Sequence, residues 1–545
     1  MLKGSKMIET IKTTPYTDQK MGTAGLRKKT KIAMQPNYFE NFMQSIFNTI
    51  PNLEQKSFLV GGDGRYFNKI AIQKIIKIAI ANNVKKLFVA KDGLVSTPAG
   101  SHIILKNKLD GGFVLSASHN PGGIDGDFGI KYANSTGGQC QPHESSAIYE
   151  ETINIKEYKI YNCPDIDLSQ IKTLKYENTT IEIIDSLIDY KNLMQSIFDF
   201  NQIKNLLTSD FKFIFDAMNG VTGPYAKLIF EETLGAPTGS VINSTPKEDF
   251  GGLHPDPNLI YAKHLVNIMY SEASADFAVA NDGDGDRNMI LGRSFFVSPS
   301  DSIAILTDNY SLIPAYKNGI YGVAKSAATS LAVKRVANHL NIGYYEVPTG
   351  WKYFINLMDS NRISFCGEES FGTGASHIRE KDGIWAALFW LSIIAQTKQS
   401  VKNIALSHWQ KYGRSYYLRN DYEEIPQDIA DKLMQDLETS LPSLIGKDYN
   451  GYIISDAHPF IYNDPVDKSS TKNGLIIHFA NGSRIVYRLS GTGTSGATLR
   501  VYIERYITDK LLENPQDMLE ELGEISRLIA QIPSRISKNK PDIIT

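Results

Sequence analysis

The sequence predicts an α/β protein: three successive α/β units followed by a C-terminal α+β domain. Three observations carry this. Short β-rich runs alternate with helically spaced apolar residues as far as residue 413. Beyond it the pattern changes to neighbouring strands closed by a helix. The length, 545 residues, suits three to four domains at roughly 150 residues each.

The elements follow in order. Phe58-Leu59-Val60 reads as a strand ending in Gly61-Gly62-Asp63-Gly64-Arg65. Ile72, Ile75, Ile76, Ala79 and Ile80 then recur at helical spacing, and strands are expected at Leu87–Ala90 and Phe113–Leu115. Phe213–Asp216 precedes a helical stretch near Gly223 to Leu234, and Asp276–Ala280 leads into an Asp/Gly cluster. Gly343–Val347 opens a third such unit. The expected domains are 1–200, 201–298, 299–413 and 414–545. In the last, Leu475–Phe479, Ser483–Leu489 and Thr498–Tyr506 read as strands, and Asn514 caps a helix with Pro515 at its first position.

Composition narrows the function classes. Lys+Arg is 57 against Asp+Glu 59, a formal charge of −2, which disfavours a bulk nucleic-acid binder. Cys140, Cys163 and Cys366 are far apart and odd in number, so neither a disulfide framework nor a zinc site is indicated. The N-terminal residues, Met1 to Lys6 onward, show no apolar signal-peptide core. The most apolar run, Trp385–Ala395, is short of the about 20 residues that span a bilayer. A cytoplasmic setting without membrane or nucleic-acid partners is expected, with no obligate protein partner.

Four loops carry chemistry. In Asn281-Asp282-Gly283-Asp284-Gly285-Asp286-Arg287, alternate glycines let three carboxylates coil around a hard cation. An EF-hand is excluded by Arg287 at its sixth position and Arg293 at its twelfth. Carboxylates without Cys or His favour Mg²⁺ with a phosphate ligand. Ser116-Ala117-Ser118-His119-Asn120-Pro121-Gly122-Gly123 puts Ser118 on an exposed turn after a strand, and lacks the glycines of a hydrolase elbow. Lys131 is a possible proton-transfer group. Arg488 to Gly496, with Arg500 beyond, satisfies G-x-G-x-x-G but runs into the alternating Leu499, Val501 and Ile503, a strand rather than a dinucleotide-binding helix. Its backbone N–H groups, hydroxyls and flanking arginines make a phosphate cradle. Gly367-Glu368-Glu369-Ser370-Phe371-Gly372 suits sugar hydroxyls, and the basic trio His377, Arg379 and Lys381 suits a charged ligand. Taken singly, the serine loop reads more readily as a plain turn, the Arg488 loop competes with a Gly/Ser hairpin, and the Glu368 loop reads equally as an ordinary polar loop.

Together, from Gly22-Thr23-Ala24-Gly25-Leu26-Arg27 to Arg500, the loops resemble the α-D-phosphohexomutase superfamily, in its longer, glucose-preferring branch. The resemblance implies three related mixed-sheet α/β domains and a C-terminal α+β domain around a central cleft. It implies interconversion of glucose 1-phosphate and glucose 6-phosphate through a phosphoserine and glucose 1,6-bisphosphate, with hexose phosphates as small-molecule partners. By resemblance, Ser118 carries the phosphoryl group and, with Asp282, Asp284 and Asp286, holds Mg²⁺. Lys131 is the general acid/base, and Arg27, His119 and Arg287 flank the reaction centre. Glu368 and Ser370 read the sugar hydroxyls, with Thr349, Gly350 and Lys381 as further contacts. Arg488, Ser490, Thr492 and Arg500 hold the phosphate that is not transferred. Ala24 and Ile124-Asp125 depart from the family pattern without removing a named group. A cleft that must exclude water predicts a hinge near residue 413.

Overall fold

The computed structural model describes residues 7–22, 24–493 and 496–545, with residues 491–493 by backbone only. Thr23, Thr494 and Ser495 lie outside the described residues, as do residues 1–6. The chain divides into two compact units, 1–299 with 309–320 and 370–401, and 300–308 with 321–369 and 402–545.

The first unit holds two mixed sheets. The larger has seven strands in the order Leu26–Lys29, Asp127–Asn134, Gly111–Leu115, Ser57–Gly62, Lys86–Leu94, Thr179–Ile184 and Thr173–Tyr176. Its four central strands, from Gly111–Leu115 to Thr179–Ile184, run parallel, and the strands outside them pair antiparallel. Parallel strands need both faces covered, and Ser57–Gly62 and Gly111–Leu115 are buried almost throughout. The second sheet runs Val241–Ile242, Phe213–Asp216, Phe277–Asn281, Asn288–Gly292, Phe295–Val297. The apolar run Trp385–Ala395 lies in the helix Gly383–Thr397, buried along nearly its whole length. No helix among the described residues is long and apolar enough to cross a membrane.

In the second unit, Gly322–Ser326 lies parallel between Gly343–Val347 and Phe365–Glu368. A seven-stranded antiparallel sheet follows, with Arg484–Gly493, Gly496–Ile507 and Arg414–Ile425 adjacent. One face packs under the helices Gln427–Leu444 and Pro515–Ile529. The other face, through Ile476, Val486 and Tyr502, meets Val347, Trp351 and Phe354. Both faces being covered explains why Tyr502 and Glu504 are buried although the alternation puts them opposite Leu499 and Val501.

Arg414–Ile425 and the strand Gly322–Ser326 belong to the same compact unit. Tyr417 also donates to the Ala328 carbonyl at 2.9 Å.

Candidate active site

The serine loop leaves the strand Gly111–Leu115 and is built on a buried pair. Asp63 and Arg65, both fully buried, bind each other through Arg65 Nε at 2.8 Å. Asp63 accepts from Ser116 Oγ at 2.7 Å, Ser116 Oγ accepts from the Ser118 amide at 2.7 Å, and Arg65 donates to the Ser118 carbonyl at 2.8 Å. Ser118 is thereby held at a left-handed φ of 53°. Gly129 permits the close approach of the neighbouring strand, since a Cβ there would meet the Ser116 carbonyl oxygen at 2.2 Å. Ser118 is only 1% exposed, which corrects the exposed turn expected from sequence. The loop's small residues let backbone close over the serine rather than present it to solvent.

Ser118 Oγ donates to Asp282 Oδ2 at 2.7 Å, with His119 Nδ1 3.4 Å away. Asp282, Asp284 and Asp286 follow the strand Phe277–Asn281, are buried, and offer ligand oxygens within 4.8 Å of one another. Gly285 takes φ 80° there, and Gly283 lies against the Ser118 carbonyl, where a Cβ would be 2.8 Å away. Lys131 Nζ bridges Asp284 Oδ2 (2.5 Å) and Asp286 Oδ2 (2.8 Å), and Lys381 Nζ is 3.3 Å from Asp286 Oδ1. Thr97 donates through Oγ1 to Asp284 Oδ2 at 2.6 Å. Asp284 Oδ1 is buried without a hydrogen-bond partner among the described residues.

The electrostatics follow from that crowding. Burial, then Asp286 and Asp284, push the Asp282 carboxyl well above its usual range. Burial acts the same way on Asp284, but Lys131 overrides it and holds that carboxyl low. Burial would depress Lys131, yet Asp284 and Asp286 keep it above the ordinary lysine value. His119 is driven well down by burial and by the Arg287 and Arg27 charges, so its imidazole is neutral. Burial pushes the Glu380 carboxyl up to about 7, against the pull of Lys131. Three carboxylates this close need cationic compensation. An all-oxygen donor set with a bare buried oxygen fits a hard divalent cation, and the residues that would hold it are Asp282, Asp284 and Asp286.

The other sequence-predicted residues divide between the units. Arg27, half-buried in Leu26–Lys29, and Arg287, whose NH1 contacts Asp256 Oδ1 at 3.2 Å, belong to the first unit, as does Ser370. Of the basic trio, Lys381 faces the acidic loop, His377 pairs with Asp382 at 3.0 Å, and Arg379 NH1 donates to the Ser376 carbonyl at 2.8 Å. In the second unit, Thr349 N meets Asn473 Oδ1 at 3.3 Å and Gly350 N donates to the buried Glu368 at 2.9 Å. Arg488 and Arg500 are paired across adjacent strands, with Asp421 opposite Arg500. Arg488 NH2 contacts Tyr502 Oη at 3.2 Å and Arg500 Nε lies 3.6 Å from Asp421. Burial opposes the Arg488 charge, but Tyr502, Glu369 and Glu368 hold it up. Ser490 continues the Arg488 strand; the Thr492 side chain lies outside the described residues.

Sequence reasoning missed Asp63, Arg65, Thr97 and Asp256. For the first two a signal existed: Gly61-Gly62-Asp63-Gly64-Arg65 ends a parallel strand, as the acidic loop does, and ligands of α/β sheets gather at such ends.

Comparison with known proteins agrees along the whole chain. Family models for phosphoglucomutase/phosphomannomutase α/β/α domains I, II and III match residues 18–159, 189–294 and 299–412, and one for the phosphoglucomutase-1 C-terminal domain matches 414–542. A phosphoglucomutase of Rhizobium radiobacter is 51% identical over 99% of this chain and 100% of its own. Human phosphoglucomutase-1 is 48% identical, again over 99% and 100%. The crystal structure of the Paramecium phosphoprotein pp63/parafusin, a phosphoglucomutase in its open form, superposes with a TM-score of 0.93 at 45% identity, covering 99% of both chains. A putative phosphomannomutase of Thermus thermophilus shares the fold at 19% identity and a TM-score of 0.68. A fold of three mixed-sheet α/β domains with an antiparallel C-terminal domain, and identity near one half over full length, make this chain a member of the phosphoglucomutase/phosphomannomutase family, an enzyme of the phosphoglucomutase type.

Proposed function

We propose that the chain interconverts α-D-glucose 1-phosphate and glucose 6-phosphate, with Ser118 as the phosphoryl carrier and glucose 1,6-bisphosphate as the intermediate. The observation that carries this is the Ser118–Asp282 hydrogen bond within a buried three-carboxylate cluster. A nucleophilic oxygen placed on a cation-binding carboxylate is the arrangement phosphoryl transfer needs. Mg²⁺ bound by the three aspartates supplies Lewis-acid stabilisation of the charge on the transferring phosphoryl group.

The chain's own residues do the rest. The phosphorus–Oγ bond at Ser118 breaks as a sugar hydroxyl forms its bond to phosphorus; the hydroxyl gives up a proton and the departing Ser118 Oγ takes one up. Lys131, held as an ammonium by Asp284 and Asp286, is the proton-transfer group: it gives its proton to the departing oxygen and regains one from the hydroxyl. The bisphosphate then turns over, its other phosphate returns to Ser118 Oγ, and the first remains as the product ester. Neutral His119, with Arg27 and Arg287, borders the reacting oxygen. Glu368 and Ser370 read sugar hydroxyls, with Thr349, Gly350 and Lys381 as further contacts. Arg488, Ser490, Thr492 and Arg500 take the ester that is not moving, by charge-assisted hydrogen bonds. We infer four domains, 1–200, 201–298, 299–413 and 414–545, each carrying one of these loops. Three cysteines, far apart in the sequence and odd in number, suit a reducing cytoplasm.

Incubation with glucose 1,6-bisphosphate should add one phosphoryl mass, mapped to Ser118. Ser118→Ala should abolish both that increment and glucose 6-phosphate formation in a coupled assay. Full turnover by Ser118→Ala would refute the covalent step.

A further inference from the structure

Thr97 is grouped with no catalytic motif, yet it grips one aspartate of the acidic loop at two points. Its backbone amide donates to the Asp284 carbonyl at 3.0 Å and its hydroxyl to Asp284 Oδ2 at 2.6 Å. The hydroxyl also accepts from Lys131 Nζ at 3.2 Å, so its donor is committed to Asp284 and its acceptor to the ammonium. Thr97 is 3% exposed and opens the helix Thr97–Asn107, capped by Ser96, whose Oγ accepts from the Ala99 amide at 3.2 Å. A β-branched side chain buried at a capped helix start has little rotational freedom. Asp284 Oδ2 thus receives two donors from fixed directions, while Oδ1 is buried with none among the described residues.

We propose that Thr97 is a positioning residue for the divalent cation: by occupying Oδ2 it fixes the carboxylate plane and leaves Oδ1 of Asp284 as the metal ligand. Lys131 shares that oxygen but divides itself between two aspartates on a long stem. Thr97 is rigid and commits its one hydroxyl proton to Asp284. The proposal rests on reading Asp282, Asp284 and Asp286 as the metal site. Partners of metal ligands of this kind are worth about 10–100-fold in metal affinity.

The test titrates the full-length metal-free protein with MgCl₂ by calorimetry, for wild type, Thr97→Val, Thr97→Ser and Asp284→Asn. Valine keeps the shape and removes the hydroxyl, and should weaken Mg²⁺ binding about 10–100-fold. Serine restores the donor and should return affinity close to wild type. At saturating Mg²⁺ the valine variant should recover most of its kcat. A merely structural role would lower the metal-free melting temperature without moving Mg²⁺ affinity. Wild-type affinity in Thr97→Val, with affinity lost in Asp284→Asn, would overturn the proposal. Wild-type affinity in both would overturn the metal-site reading and the proposal with it. Thr97→Ala gives the same comparison if valine does not fold.

Discussion

Each compact unit contains a largely buried cluster in which acidic and basic side chains meet, and the two differ in how completely their carboxylates are matched. In the second unit, Glu346 receives Lys325 and Arg484 on Oε1, each at 3.1 Å, and Tyr344 on Oε2. Glu504 receives the Leu331 amide on both oxygens, Ser415 on Oε1 and Arg484 on Oε2. All four carboxylate oxygens are matched, and the network ties the parallel strands to the antiparallel sheet. In the first unit, three aspartates crowd together, one carboxyl is pushed well up, and Asp284 Oδ1 has no donor among the described residues. Carboxylates matched on every oxygen contribute to folding and leave no bare acceptor for a cation to complete, even though Arg484 Nε has no hydrogen-bond partner there among the described residues. The proposed phosphoryl transfer is placed where a carboxylate oxygen stays bare.

The sharpest way to break this contrast is to alter one member of each cluster. Asp284→Asn should cut kcat by about 10³-fold, the loss of several kcal/mol of charge stabilisation in the transition state, with the fold retained by circular dichroism. Arg484→Met should do the reverse. Leaving Glu346 and Glu504 short of a cation should cost about 3–5 kcal/mol in urea unfolding, with kcat of the folded fraction unchanged. A fall in kcat with Arg484→Met at undiminished stability would erase the distinction.

Acid should also sharpen it. His408, buried in the second unit, is pushed down to about 4 by burial, although Asp308 favours its charged form. The unfolded chain takes up that proton near pH 6.5 and the folded chain only near 4, so stability is lost as pH falls through that window. The loss should reach roughly 2–3 kcal/mol at pH 4. His408→Gln should flatten the dependence of the urea midpoint between pH 7 and 4.5. Arg500→Ala has the smallest expected effect, because its side chain is 31% exposed and solvent screens it. The KM for glucose 1-phosphate should rise about tenfold, roughly 1.4 kcal/mol, and an unchanged KM would remove Arg500 from the phosphate cradle.

Much of this was legible in the residues. Strands ending in Gly-rich loops mark the α/β units, and alternate aspartates separated by glycines announce a cation loop. Other features depend on what approaches from elsewhere in the chain. Ser118 is buried because Gly129 admits a neighbouring backbone and Asp63 and Arg65 hold the turn from below, over fifty positions away in sequence. The pairing of His377 with Asp382 is likewise invisible in the spacing of the basic trio. Tyr502 and Val486 cover a second face of the C-terminal sheet, which strand periodicity alone does not reveal.

The conformation of Ser118 also restricts which alcohol can serve in its place. At φ 53° an extra methyl on Cβ would press against the local backbone. Left-handed conformations of this kind cost a β-branched side chain on the order of 1–3 kcal/mol. Threonine, with an equally competent hydroxyl, would be a poor substitute, and the preference for the smaller residue is imposed by the torsion before any reaction begins.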